Sequence, residues 1–230
     1  LRGQAVRHVR SALTERRLRR HYRDLDAAGR FIYYPLHVAA DVALTIRAPE
    51  YLDQYALLDY LARSIPITHR MAIKEHPAMV GGIDYGRVAD LLRRHDALVL
   101  LRPSISNFDV LRRADAIVTV NSKSGAEAIL LNRRVVALGD SFYRRSGLVR
   151  AVGAPNEIGD ALREVLNVPP RSPEEIYGYF QGVWDRSYPG ELYATDDASC
   201  AAFADSLIQY LTASPHPQAG TRRASAGRMV

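Results

Sequence analysis

Four short stretches of this chain gather residues able to bind an anion or move a proton. Lys74-Glu75-His76-Pro77 sets a cation, an acid and an imidazole before a proline. Proline disfavours helix in the residue before it, so His76 is pushed toward an extended conformation. A histidine there can donate to an anion or act as acid or base, or it can be satisfied by loop backbone. Asn121-Ser122-Lys123-Ser124-Gly125-Ala126-Glu127 places two hydroxyls and a glycine before a helix. The free N–H groups and dipole of a helix start attract anions. Ser122 or Ser124 can equally be a plain N-cap, and Ser124 with Glu127 fits a capping box. Gly139-Asp140-Ser141-Phe142-Tyr143 allows a close backbone approach, with Tyr143 able to close over a ring or sugar, or it is a turn with a packed aromatic. His37 and Asp41 follow Tyr34-Pro35-Leu36, where both can face the same cleft.

Several chemistries are disfavoured. The 121–127 segment lacks the G-x-x-x-x-G-K-[ST] spacing of an ATPase loop, and no G-x-G-x-x-G follows the first apolar run. There is no G-x-S-x-G elbow. No set of Asp, His and Cys has metal-ligand spacing, so no metal is expected.

The elements that must position these groups alternate. Apolar runs at Phe31–Leu36, Arg70–Lys74, Ala97–Leu101, Ala116–Val120, Arg134–Leu138 and Val149–Val152 read as strands. Helical patterns at 53–64, 84–94, 107–114, 125–132 and 155–166 lie between or after them. Near-continuous Val/Ile/Leu strands alternating with helices predict a doubly wound parallel α/β sheet. Ligands of that fold sit at the carboxyl ends of the strands, which is where all four stretches fall.

Around this domain, 30–168, the sequence predicts a leading basic helix within 1–29, spanning 4–27. Pro169, Pro170 and Pro173 mark a break. Helices at 174–184 and 199–212 are expected to pack back on the domain, and 213–230 to be a disordered tail. The chain starts at Leu1 without a signal-peptide pattern and reads as a piece of something longer.

The chain has 230 residues, one cysteine (Cys200) and a net charge of +6. A single cysteine excludes an intrachain disulfide framework. Residues 1–30 carry nine arginines against three acids, and 216–230 carry three arginines and no acid. The stretch 31–215 is left with a net charge of −3. Basicity is therefore terminal, which argues against a nucleic-acid partner. It suits an interdomain contact or an anionic membrane surface met by residues 1–30.

The motifs "YYPLH" (33–37), "KEHP" (74–77), "NSKSGAEAILL" (121–131) and "LGDSFY" (138–143) together resemble the capsule polysaccharide biosynthesis family, which includes bacterial Kdo transferases. The likeness covers residues 31–150. It implies the carboxy-terminal, donor-binding half of a GT-B glycosyltransferase, a Rossmann-like domain. The implied function is transfer of a Kdo-like sugar from a CMP donor in capsular or surface polysaccharide synthesis. The other reading is a non-catalytic nucleotide-sugar-binding or scaffold domain of a capsule assembly complex. By the same resemblance His76 is catalytic. Pro77, Ser122, Ser124 and Gly125 hold the donor phosphate, and Glu127 lies near the ribose. His37, Asp41, Lys74, Glu75, Lys123 and Tyr143 are further cleft candidates. No cofactor is implied; the nucleotide sugar is a substrate, the partner a glycan or glycolipid acceptor. The implied location is the cytoplasm, peripheral at the inner face of the membrane.

Overall fold

The computed structural model describes residues 2–38, 41–191 and 194–212; the tail expected at 213–230 lies outside them. Six strands form one parallel sheet: β1 Phe31–Pro35, β2 Arg70–Lys74, β3 Leu98–Leu100, β4 Ala116–Thr119, β5 Arg134–Ala137 and β6 Arg150–Ala151. Their order is β3-β2-β1-β4-β5-β6. All five residues of β1 and all four of β4 are buried, as a sheet covered on both faces requires.

The helices are α1 Arg2–Leu18, α2 Val42–Thr45, α3 Gln54–Ser64, α4 Tyr85–Arg94, α5 Asn107–Arg113, α6 Lys123–Leu130, α7 Ile158–Asn167, α8 Pro173–Trp184 and α9 Asp197–Thr212. Local chemistry sets their starts. Asp53 accepts from the N–H groups of Tyr55 and Ala56, and Asp84 from that of Arg87. Along the strands side chains alternate between faces. Ile32, Tyr34, Met71, Ile73, Val118 and Val136 share one core with Leu57, Leu58 and Leu61 of α3, Val88 and Leu91 of α4, and Leu162 of α7. Helices α5 and α6 pack on β1, β4 and β5 outside that core. The helices thus change face between β1 and β4. The chain is a doubly wound α/β fold.

The first helix differs from expectation. It ends at Leu18 rather than 27. Beyond it, Arg23 pairs in parallel with Leu101, its N–H reaching Leu100 O at 2.9 Å. Leu18 and Tyr22 are buried in the core, so pairing and burial override a continued helix. Val6, Val9 and Leu13 of α1 remain exposed. Gly81, at φ +72°, lies where a Cβ would stand 2.1 Å from Ser11 O, so only glycine lets this loop meet α1.

The chain divides into two compact units, Leu1–Tyr179 and Phe180–Val230. Within the second, the Ser206 hydroxyl donates to Pro189 O, and the Tyr188 and Tyr210 rings meet edge-on at 5.9 Å. No helix among the described residues is long and apolar enough to cross a membrane.

Candidate functional site

In an open parallel sheet, a crevice opens at the carboxyl ends of the strands where the helices change face. Here that place lies between β1 and β4, and the rim continues to β2 through the register Pro35↔Lys74. His37, Lys74, His76, Asn121 and Ser122 all stand on that rim by chain position.

His76 closes β2 with φ −64° and ψ 133°, the extended conformation expected before Pro77. Its Nδ1 accepts from the Ala78 N–H at 3.2 Å and caps the 3-10 turn Pro77–Met79. The hydrogen bond assigns the proton of the neutral ring to Nε2. The loop-backbone reading holds for one nitrogen, and the other is left as a donor on an exposed side chain. Pro77 is the first residue of that turn, where its missing N–H costs nothing.

Glu75 and Lys74 point to opposite faces. Glu75 is 1% exposed; its carboxylate accepts from the Tyr22 hydroxyl and, at 2.8 Å, from the Gly81 N–H. It ties the segment after α1 and the 77–82 loop to the end of β2. Burial raises its pKa, and those two hydrogen bonds act the other way. Lys74 is 2% exposed, and among the described residues no hydrogen bond or ion pair reaches its ammonium. Desolvation lowers its pKa.

His37 is held by a residue whose role the sequence did not suggest. The Gln54 side chain accepts from the His37 N–H at 2.8 Å and donates to the His37 carbonyl at 2.9 Å. Its imidazole Nε2 is buried with no partner. Its pKa is lowered to about 4, by burial above all; Asp41 acts against that and the nearby His76 adds to it. Asp41 itself caps α2, accepting from Ala43 N at 3.0 Å. In the unfolded chain His37 titrates near its ordinary 6.5. Between the two values the unfolded state binds the extra proton, so stability is full above about 6.5 and falls toward pH 4. Denaturation midpoints should drop across that window, and His37→Gln should flatten the drop. An unaltered slope in the variant would remove His37 as its source.

Helix α6 begins at Lys123, two residues earlier than the sequence pattern put it. The N-cap is Ser122, whose hydroxyl accepts from Ser124 N at 3.2 Å. The Gly125 N–H goes to Ser122 O at 2.9 Å. The Lys123 N–H is the donor that the cap leaves over. The Lys123 side chain is exposed, with no ion pair among the described residues.

Ser124 and Glu127 do not form a capping box. The Asn107 amide of α5 donates to Ser124 Oγ at 3.1 Å and to Glu127 Oε2 at 2.9 Å, while accepting from the Tyr33 hydroxyl at 3.0 Å. Nothing in the local sequence around Asn107 marks this link, because it joins β1, α5 and α6. Asn121 is likewise fixed across the fold: its amide donates to Ala43 O at 2.7 Å, and its Oδ1 is buried without a partner. The Tyr34 hydroxyl is a third such buried group.

Tyr143 is buried, its hydroxyl donating to Ser122 O at 2.6 Å; burial pushes its pKa up to about 12. Its ring lies over Gly125, where a Cβ would stand 2.3 Å from the phenol oxygen. Gly125 and Tyr143 therefore act together by propping the helix start from behind. Gly125→Ala should cost about 1–3 kcal/mol by overpacking, a fall of several degrees in Tm. An unchanged melting curve would show that the ring can move aside.

Among the described residues, no group of three metal-ligating side chains converges.

A family model described as capsule polysaccharide biosynthesis protein matches residues 1–158. Protein FixF of Sinorhizobium fredii is 29% identical over 141 residues, which cover 60% of this chain and 34% of FixF. The capsule polysaccharide modification protein LipB of Neisseria meningitidis is 28% identical over 156 residues, 65% of this chain and 35% of LipB. The chain spans about a third of the length of these curated relatives. Among solved structures, the β-Kdo 2,7 transferase of Thermosulfurimonas dismutans KpsC superposes with a TM-score of 0.47 at 21% identity, over 76% of this chain and 52% of that one. The family match extends over more than half of the residues, from α1 through β6, and by it the chain belongs to the capsule polysaccharide biosynthesis protein family.

Proposed function

We propose that this chain is the nucleotide-sugar-binding half of a two-domain GT-B glycosyltransferase that transfers a Kdo-like sugar from a CMP donor onto a capsular or surface glycan. The observation that supports this reading is the set of uncommitted polar groups along one rim: His76 Nε2–H, the Lys74 ammonium, His37 Nε2, Asn121 Oδ1 and the Lys123 N–H. Buried polar groups are ordinarily paired, so the two that are buried without a partner here, His37 Nε2 and Asn121 Oδ1, at the crevice of a doubly wound sheet call for a ligand.

The reaction would be displacement at the anomeric carbon. The bond from that carbon to a phosphate oxygen of the donor breaks, and the new glycosidic oxygen comes from the acceptor hydroxyl. Negative charge grows on the departing nucleotide phosphate. His76 would donate to it from Nε2, and the α6 start would face it with the Lys123 N–H. Donors aimed at developing charge lower the barrier without reorganising. Ser122 and Gly125 set that helix start, while Glu127, held by Asn107, would meet the donor ribose. The residue that activates the acceptor would come from the other half, so this chain alone should bind donor and transfer poorly. Cytoplasmic placement at the inner membrane face fits a nucleotide-sugar donor, and the arginines of residues 1–30 would meet the anionic surface.

Isothermal titration of the chain with CMP and UDP tests the reading. Saturable CMP binding, stronger than UDP binding and weakened about tenfold by His76→Ala, is the expected result. Binding of neither nucleotide would overturn it in favour of a scaffold domain.

A further inference from the structure

At the amino-terminal ends of β5 and β6, opposite the rim described above, the surface holds a half-open pocket of about 100 Å³. Four arginines line it, Arg133, Arg134, Arg150 and Arg171, against a single acid, Glu164. The volume is about three times the share of one water in the liquid, room for one small oxyanion.

The walls are fastened independently of any ligand. Helix α6 ends in a Schellman turn: Asn132 takes φ +53°, its N–H reaches Ile129 O, and the Arg133 N–H reaches Ala128 O. The Asn132 side chain then grips the Arg171 backbone from both sides, donating to its carbonyl at 2.8 Å and accepting from its N–H at 3.0 Å. Arg134 Nε donates to Val168 O at 3.0 Å, and Arg171 donates to Gly147 O at 3.1 Å. Arg150 pairs with Glu164 at 2.7 Å.

Arg133 is the exception. No hydrogen bond or ion pair of its guanidinium occurs among the described residues, and its Nε is buried. Arginines near helix carboxyl ends commonly serve the last carbonyls, but here the turn's own backbone N–H groups take Ile129 O and Ala128 O. With Glu164 committed to Arg150, the cavity keeps a strong surplus of positive charge. A guanidinium fork is the side chain best matched to phosphate oxygens.

We propose that this cavity is a second anion site, separate from the rim, which takes a phosphate-class oxyanion on Arg133 with Arg134 and Arg171 beside it. The oxyanion is free phosphate or the phosphate of a lipid headgroup. A ligand here leaves the strand carboxyl ends free, so it does not compete with a nucleotide.

Inorganic phosphate is titrated into the labelled chain, and backbone amide shifts are followed by NMR. Amides of 132–135 and of Val168 and Arg171 are expected to shift saturably, and Arg133→Ala to weaken that shift at least tenfold. Because the Arg133 side chain bonds to nothing described, the variant should melt within about a degree of the parent without phosphate. Shifts confined to 122–125, or shifts at 132–135 that persist in Arg133→Ala, would overturn the proposal. A parallel arm distinguishes the sources. Sedimentation with phosphatidylglycerol but not phosphatidylcholine vesicles, lost in Arg133→Ala, assigns a headgroup; phosphate shifts without sedimentation assign free phosphate.

Discussion

On the proposed glycosyltransferase reading, replacing His76 by alanine in the full-length protein is expected to slow sugar transfer about 10²–10³-fold, the usual effect of losing one donor aimed at transition-state charge. The same change should barely move stability. His76 is exposed, and its one described bond is Nδ1 accepting from Ala78 N–H at 3.2 Å. Losing that cap costs about 1 kcal/mol, or about 2–4 °C in Tm for a chain of this size. His76→Asn separates the two roles, since an asparagine oxygen can cap the turn but its amide does not reach as the Nε2–H does. Its expected profile is a restored Tm with transfer still slow. Transfer at the parental rate in His76→Ala, measured with saturating donor, would remove His76 from the reaction.

Lys74→Met should act in the opposite sense, raising stability while weakening ligand affinity. A methylene-rich chain of similar length replaces a lysine that is 2% exposed as a residue and whose ammonium has no described partner. Burying a charge without compensation costs several kcal/mol after relaxation, and desolvation lowers the Lys74 pKa accordingly. The gain on substitution should be about 1–3 kcal/mol, visible as a higher denaturant midpoint at an unchanged m-value. Since the folded-state pKa lies below the ordinary 10.5, the parent should itself gain stability as pH rises toward 10, and the variant should not. In the proposed reading Lys74 is retained because a bound anion neutralises it, so CMP affinity should fall in the stabilised variant. A destabilised Lys74→Met would mean that the ammonium is already compensated and is not kept for a ligand.

The fold was legible to the extent that it rests on periodicity. Each of β1 to β6 lies within an apolar run read from sequence, because strands buried on both faces need continuous hydrophobic residues. The helical stretches 53–64 and 84–94 were legible to within a residue at their starts, where Asp53 and Asp84 prove to be the caps, because capping is local chemistry. The start of α6 was misread by two residues, since Ser122 and Ser124 are both competent caps and the choice depends on Tyr143 packing behind Gly125. The early end of α1 depended on Arg23 pairing with Leu101, a contact far away in sequence.

At the candidate site, the sequence by itself determined which residue types stand after which strand: His76 after β2, Ser122 after β4, His37 after β1. It also determined the extended backbone of His76, through Pro77. Only the tertiary structure decided which of those groups keep their polar atoms uncommitted. Lys74 ends β2 and Glu75 follows it, yet the change of face sends Glu75 to Tyr22 and Gly81 and leaves Lys74 alone. Gln54 and Asn107 carry no local signature, because their partners, His37 and the pair Ser124 and Glu127, lie on other elements. Residue type and local backbone follow from short-range sterics and hydrogen bonding. Pairing and burial follow from how the helices cross the sheet, and they set the charge and proton position on which the chemistry depends.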